Sequence, residues 1–384
     1  MKICRIATVP FFVLHHLGSQ IAATVGAGHE VHVVTSPGPG AERVAALPGV
    51  AFHPIAIPRP IAPLRDLVAL AGLYRYFSRQ RFAIMHSATP KAGLLCAVAA
   101  WLAQVPVRLH TFTGQAWAER RGPVRWIGIA ADRLIVRLNT RCYADSPSQR
   151  DFLLGLGIGS RQKLKVLGHG SLAGVELHRF RRDALAAAAA ELRERLGMPA
   201  GARVLAFVGR VHRDKGIGEL VTAFRRLAER FPKIWLVLVG PFETEGAPLP
   251  AEVEHDLGHH PRIRAVGYDP APEAYLAMAE LLCLPSYREG FANVVVEAGA
   301  MGVPTVGSRI VGLVDSVAEG ETGMLVPVKD AAALQAALTR LLEDDALRRR
   351  LGQAAQARAE ACFDSRKVNQ ALLEEYRALL QDRS

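Results

Sequence analysis

"LLCLPSYREGFANVVVEAGAMGVPTVG", residues 281–307, sets the pattern for the whole chain. A short apolar run is closed by Pro285, a polar loop carries Glu289 and Gly290, a stretch from Asn293 to Gly302 follows, and a second apolar run opens at Val303. Val294 to Val296 favour a strand by propensity. The small residues from Ala298 to Gly302 and the apolar run beyond them argue for strand, loop, helix, strand, with Asn293 as the helix N-cap. Repeated units of this kind build a mainly parallel sheet.

The same alternation extends in both directions. Upstream, "KICRIATV", "EVHVVTS", "FAIMHS", "VRLHTF" and "CYADS" read as strands with helical segments between most of them. After the Ala-rich helical segment near 184–199 the pattern restarts with "VLAFVG", "IWLVLVG", "IRAVG", "LLCLPS", "VPTVG" and "GMLVPV". Two sheets are therefore expected, with the boundary in the glycine-rich stretch and helix of 168–200. We divide the chain into an N-terminal domain (1–180), a C-terminal domain (181–364) and a C-terminal helix (365–384) that returns to the N-terminal domain. The fold class is α/β, two doubly wound Rossmann-like domains facing a cleft lined by the carboxyl ends of their strands, where such sheets bind ligands.

Length and composition agree with this division. A chain of 384 residues, half of them hydrophobic, suits two cores. The longest candidate membrane segment, "AGLLCAVAAWLA" at 92–103, falls short of the roughly 18 apolar residues needed to span. Arg5 and the His15–His16 pair interrupt the N-terminal apolar segment, which reads as a first strand and not as a signal peptide. Five scattered cysteines without a C-x-x-C suit neither a disulfide framework nor a zinc site, and point to a reducing cytoplasm. The net charge of +11 is one-sided. Residues 1–180 carry 21 Lys/Arg against 8 Asp/Glu, residues 181–384 carry 26 against 28. A basic half of this kind suits an anionic partner such as a membrane surface, a lipid phosphate or a nucleic acid.

Two loops carry the chemistry. In "VLAFVGRVHRDKGIGEL" (204–220) a buried strand leads through glycines into an amphipathic helix, and Arg210 and Lys215 lie in the turn. Cations beside the amides of a helix start form a grip for a diphosphate. The loop lacks the G-x-x-x-x-G-K-[ST] of a nucleotide-hydrolysing P-loop and the third glycine of a dinucleotide fingerprint. In the second loop Gly290, Phe291, Ala292, Asn293 and Val294 aim backbone amides at an anion, with Glu289 in the loop and Glu297 one turn inside the helix. Carboxylates beside a phosphate would repel it unless each accepts hydrogen bonds from neutral hydroxyls, at roughly 1.5–3 kcal/mol per charge-assisted bond. Vicinal sugar hydroxyls are such donors, and two Glu around one diphosphate describe a nucleotide sugar.

The set "GRVHRDKG", "PSYREGFANVVVEAGAMGVP" and "GETGMLVPVKD" resembles the retaining glycosyltransferases of family 4, built on the GT-B fold. Upstream, "HSATPKAGLL", "HTFTGQAW", "ADSPSQRDFLL" and "VLGHGSLAGVELHRF" are similar to the branch that makes bacterial O-antigen lipopolysaccharide, capsule or exopolysaccharide on a lipid carrier. The resemblance implies that Arg210 and Lys215 hold the donor diphosphate, that Glu289 contacts the transferred sugar as a catalytic residue, that Glu297 takes the ribose, and that the Gly290–Val294 amides meet the distal phosphate. On the acceptor side, His86 ends a strand and is a second catalytic candidate, Lys91 could meet an acceptor phosphate, and His110 follows on the next strand. The chain departs from the family in having Ala88 where a second histidine is common, and Ala173 and Glu176 where Asn and Asp are usual. "WAERRGPVRW" (117–126) mixes aromatics and cations as an interfacial loop would.

The expected activity is retaining, metal-independent transfer of a hexose from a nucleotide-diphosphate sugar, with UDP the foremost carrier, to a polyprenyl-diphosphate-linked glycan. Neither a metal nor another cofactor is implied, since no Asp-x-Asp occurs in the chain and Arg210 and Lys215 carry the charge instead. The expected location is the inner face of the cytoplasmic membrane, held peripherally by the basic half, with no nucleic-acid partner. A nucleotide-sugar epimerase of the same architecture and a non-catalytic nucleotide-sugar-binding protein are the alternatives.

Overall fold

The computed structural model describes residues 1–243 and 248–381, and divides the chain into two α/β units. The first holds Met1–Ala173 together with the segment from Ser365; the second holds Gly174–Asp364, so that residues 174–180 fall within the second.

The sheet of the first unit contains β1 (Lys2–Ile6), β2 (Glu30–Thr35), β3 (Val50–Pro54), β4 (Ile84–Ala88), β5 (Val107–Phe112), β6 (Arg141–Ala144) and β7 (Leu164–Lys165), in the spatial order β3-β2-β1-β4-β5-β6-β7. Every pairing is parallel. Alternate residues of β1 feed two cores: Cys4 and Ile6 pack on one face with Phe77 and Cys96, while Ile3 packs on the other with Tyr143, Leu372 and Tyr376. Burial on both faces explains why the central strands read as nearly continuous apolar runs. Three helices of the first face are α1 (Pro63–Gln80), α2 (Pro90–Leu102) and α3 (Pro123–Leu138). Each has proline in its first turn, where the missing N–H costs nothing. The run at 92–103 lies within α2 and its C-cap, and most of its side chains are buried.

The second unit contains β8 (Arg203–Val208), β9 (Ile234–Val239), β10 (Ile263–Gly267), β11 (Leu281–Leu284), β12 (Thr305–Ser308) and β13 (Gly323–Val326), all parallel, in the order β10-β9-β8-β11-β12-β13. The order reverses between β8 and β11, which is where sheets of this class open a crevice for ligands. Both chemistry-bearing loops leave the sheet there: one joins β8 to α4 (Ile217–Arg230), the other joins β11 to α5 (Asn293–Ala300). The three valines of α5 are overruled by packing, because Val295 and Val296 are buried and Gly299 lies against the backbone of Ala355. The N-cap expectation is corrected by one residue. Ala292 is the cap, with extended backbone angles and no side-chain bond, and Asn293 is already the first helical residue.

The chain ends in α6 (Ser365–Gln381), which packs on the first unit through Leu372, Tyr376 and Leu379. Residues 382–384 of the anticipated C-terminal helix lie outside the described residues. No helix among the described residues is long and apolar enough to cross a membrane.

Candidate active site

The β8 loop is shaped by one glycine above all. Gly216 adopts φ 69°, and a Cβ there would lie 2.1 Å from the carbonyl oxygen of Pro285. Only a glycine lets the two loops meet so closely. Arg213–Lys215 form a single 3-10 turn, and Tyr287 donates its N–H to the Asp214 carbonyl at 2.8 Å, a second stitch between the loops.

Lys215 Nζ donates to Glu289 Oε1 at 2.6 Å, with both side chains 14% exposed. Two of the residues singled out from sequence, 74 positions apart, are thus in direct contact. Arg210 is 41% exposed, paired with Glu243, and lies 3.7 Å from Asp214 Oδ2. Asp214 also takes a hydrogen bond from Arg288 at 2.9 Å and lies 2.6 Å from His212 Nδ1. Burial raises the Asp214 carboxyl, but His212 and the charges of Lys215, Arg210 and Arg288 outweigh it and hold the group below the usual carboxylate range. Asp214 is therefore the anionic hub that spaces three cations around the crevice.

Glu297 sits in the second turn of α5, partly buried. Desolvation pushes its pKa up to about 7; Arg179 opposes the rise, and the carboxylates of Glu273 and Glu176 add to it. Arg179 itself donates to Glu176 at 2.9 Å and to both oxygens of Glu273 at 3.2 Å. Gly290, at the end of the second loop, backs onto Gly312, where a Cβ would come within 2.5 Å of the Gly290 carbonyl oxygen. The loop after β12 thereby fixes the level of the Gly290–Val294 amides.

Asp214, His212, Arg288, Glu243, Arg179 and Glu273 escaped the sequence reading. The motif "GRVHRDKG" contains two of them, yet nothing in its spacing tells which acid meets which cation.

The acceptor-side candidates in the first unit all have partners within it. His86 is 1% exposed, its Nδ1 2.7 Å from the Tyr376 hydroxyl and its Nε2 2.8 Å from the Thr111 hydroxyl. Burial first, then Arg5 and His110, hold its pKa well below the imidazole range. Arg5, also buried, donates to Tyr376 and to Gln20 at 2.7 Å each. His86 is part of this internal network and not a group open to substrate. His110 is enclosed as well, 3.0 Å from Ser87 Oγ, with burial driving its pKa down to about 3 against a hydrogen bond accepted by the Ser87 backbone. Lys91 donates to Asp66 at 2.7 Å and to the Pro60 carbonyl at 2.9 Å.

Two parallel α/β units, one of them presenting cations and carboxylates at its topological switch point, define the class: the chain is a glycosyltransferase of the GT-B type. Residues 189–358 match the family model "Glycosyl transferases group 1" and residues 14–170 match "Glycosyl transferase 4-like domain", so that the two glycosyltransferase models together account for most of the chain. It is 28% identical over 354 residues to the capsular polysaccharide biosynthesis glycosyltransferase CapM of Staphylococcus aureus, covering 92% of this chain and 91% of that one. It is 42% identical over 168 residues to the D-inositol 3-phosphate glycosyltransferase of Corynebacterium efficiens, a match spanning 42% of this chain and only 39% of that protein. Among solved structures, Anabaena HepE in complex with UDP and glucose superposes with a TM-score of 0.84 at 20% identity, covering 98% of this chain and all of the other.

Proposed function

We propose that the chain moves a hexose from a nucleotide-diphosphate sugar, UDP being the foremost carrier, to a lipid-linked glycan during synthesis of a bacterial surface polysaccharide such as capsule or lipopolysaccharide. The transfer retains the configuration at the anomeric carbon and draws its charge stabilisation from side chains. The observation that carries this reading is the Lys215–Glu289 pair, which unites the two loops at the switch point of the second unit. HepE's complex with UDP and glucose, and the capsular role of the Staphylococcus relative, support the choice of donor and product class.

In this reading a diphosphate entering the crevice competes with Glu289 for Lys215 and with Glu243 for Arg210. Its arrival releases the Glu289 carboxylate to accept hydrogen bonds from the sugar hydroxyls, so donor binding assembles the site. The amides from Gly290 to Val294 take the distal phosphate. Glu297, in its ionised form, accepts from the ribose hydroxyls. As the anomeric C–O bond to the diphosphate breaks, negative charge grows on the departing oxygen, and Arg210 and Lys215, already held by the diphosphate, stabilise it. The acceptor hydroxyl adds to the face the diphosphate leaves, and its proton passes to the departing phosphate oxygen. Attack and departure on one face give retention.

Glu289→Gln keeps the shape of the side chain and removes its charge. We expect transfer to fall by about 10²-fold or more with the fold unchanged by circular dichroism; wild-type turnover in this variant would refute the assignment of the loop. The acceptor is a polyprenyl-diphosphate-linked glycan at the inner face of the cytoplasmic membrane, with the basic first unit drawn to anionic lipid.

A further inference from the structure

A helix on the outside of a globular unit should be apolar on one face and polar on the other. Helix α1 is apolar on both. Its inner face buries Ala69, Leu73 and Phe77, while Leu64, Leu67, Val68 and Tyr74 point outward, 80%, 62%, 73% and 43% exposed. Their offsets of three, four and ten from Leu64 keep them on one stripe, about 15 Å long at helical rise. Ile61, just before the helix, extends it. The charges beside the stripe are of one sign: Arg65, Arg75 and Arg79 are exposed, and Asp66, the only acid in the helix, is held by Lys91.

A second apolar group lies at the same end of the unit. In a parallel sheet every helix that follows a strand starts at the carboxyl end of the strands, so the first turns of α1, α2 and α3 share one rim. Helix α2 packs against both of its neighbours. The first turn of α3 exposes Val124, Trp126 and Ile127, after a loop carrying Arg120 and Arg121 against Glu119. Beside the α1 stripe an apolar-walled depression of ≈ 460 Å³ opens between Pro37, Ile57, Pro58, Leu64 and Val68.

We propose that the outward stripe of α1, together with the first turn of α3, is the surface that lies in an anionic bilayer. Apolar side chains between arginines are the composition of a helix resting in the plane of a lipid interface. A second copy of the chain fits less well, since a two-fold contact through this stripe would set its arginines against themselves. The inference rests on the reading that the acceptor is membrane-borne, and it names the face that reaches it.

The full chain is mixed with phosphatidylcholine vesicles, with or without phosphatidylglycerol, and the bound fraction is measured by flotation. Wild type binds the anionic vesicles, less so as salt is raised. Leu64→Glu/Val68→Glu lowers the partition coefficient by about tenfold or more, and Arg65→Glu/Arg75→Glu abolishes the preference for anionic lipid. All four positions are exposed, so melting temperature and transfer to a water-soluble acceptor analogue stay at wild-type values. Equal vesicle binding by the Leu64/Val68 variant overturns the proposal, as does a solution dimer that the same variant splits. Active enzyme indifferent to vesicles would sink this inference alone; vesicle binding without any sugar transfer would sink only the proposed function.

Discussion

Lys215→Ala separates the diphosphate reading from a purely structural one. The lysine and Glu289 are 2.6 Å apart and each 14% exposed, so an effective dielectric of about 20 suits the pair. With charge centres about 4 Å apart the attraction is on the order of 4 kcal/mol, much of it offset by desolvation. Removing the cation leaves the Glu289 carboxylate partly buried and unpaired, a loss of about 1–3 kcal/mol in stability. Adding Glu289→Gln removes that stranded charge, so the double variant should melt above the single one. Nucleotide binding should move the other way. One charge-assisted bond to phosphate is worth about 1.5–3 kcal/mol, or a rise of about ten- to a hundredfold in the Kd for UDP, and the second substitution cannot restore it. Turnover should fall by a further 10²–10³, about 2.7–4 kcal/mol, if the lysine faces the charge that develops on the leaving group. Calorimetric titration with UDP, thermal unfolding and nucleotide release read the three effects separately. A UDP Kd within about threefold of wild type, with the stability effect present, would show that Lys215 only braces Glu289.

Glu297 makes stability depend on pH. Its folded-state pKa, about 7, lies above the ordinary 4.5, so the folded protein holds a proton that the unfolded chain has lost. Stability therefore declines as pH rises from about 4.5 to about 7, and Glu297→Gln should flatten that decline in melting curves; a wild-type slope in the variant would contradict the cause given. In the same titration the KM for donor should fall as the wild-type carboxylate ionises. Gly216→Ala, which puts a Cβ 2.1 Å from the Pro285 carbonyl at φ 69°, should cost about 3 kcal/mol or more in urea denaturation. Tyr376→Phe withdraws the hydroxyl that Arg5 and His86 share, with an expected loss of about 1.5–3 kcal/mol; a change below about 0.5 kcal/mol would mean that water replaces it.

The sheets could be read in the chain because burial on both faces makes parallel strands run apolar without interruption. Eleven of the strands announce themselves in this way; Val50–Pro54 and Leu164–Lys165 do not. Both lie at the outer edges of their sheet, where one is mostly exposed and the other spans two residues, too little for a pattern to form. The helix of 293–300 was ambiguous for a related reason: its valines prefer strand, and only contact with the helix of 345–362 decides the matter. At the site, residue type and loop position pointed to Arg210, Lys215, Glu289 and Glu297, since charge in a loop after a buried strand has few structural uses. The acids beside Arg210 were invisible, because its pairing with Glu243 depends on the course of loops from separate strands. His86 misled for the opposite reason. A strand end looks open in sequence, but His86 is the middle residue of β4, and its enclosing partner, Tyr376, lies 290 residues further on.

The guanidinium of Arg5 finds the Tyr376 hydroxyl 371 positions later, because the chain leaves the first unit at Ala173 and rejoins it at Ser365. During synthesis at about 5–20 residues per second, the first strand must wait roughly 20 to 75 s for the tail that completes its surroundings. The inserted second unit has all its residues by then, and the order of completion on the ribosome runs from the middle of the gene outward. Nonsense mutations near the 3′ end should therefore spoil the amino-terminal half of the molecule first and leave the inserted half able to fold.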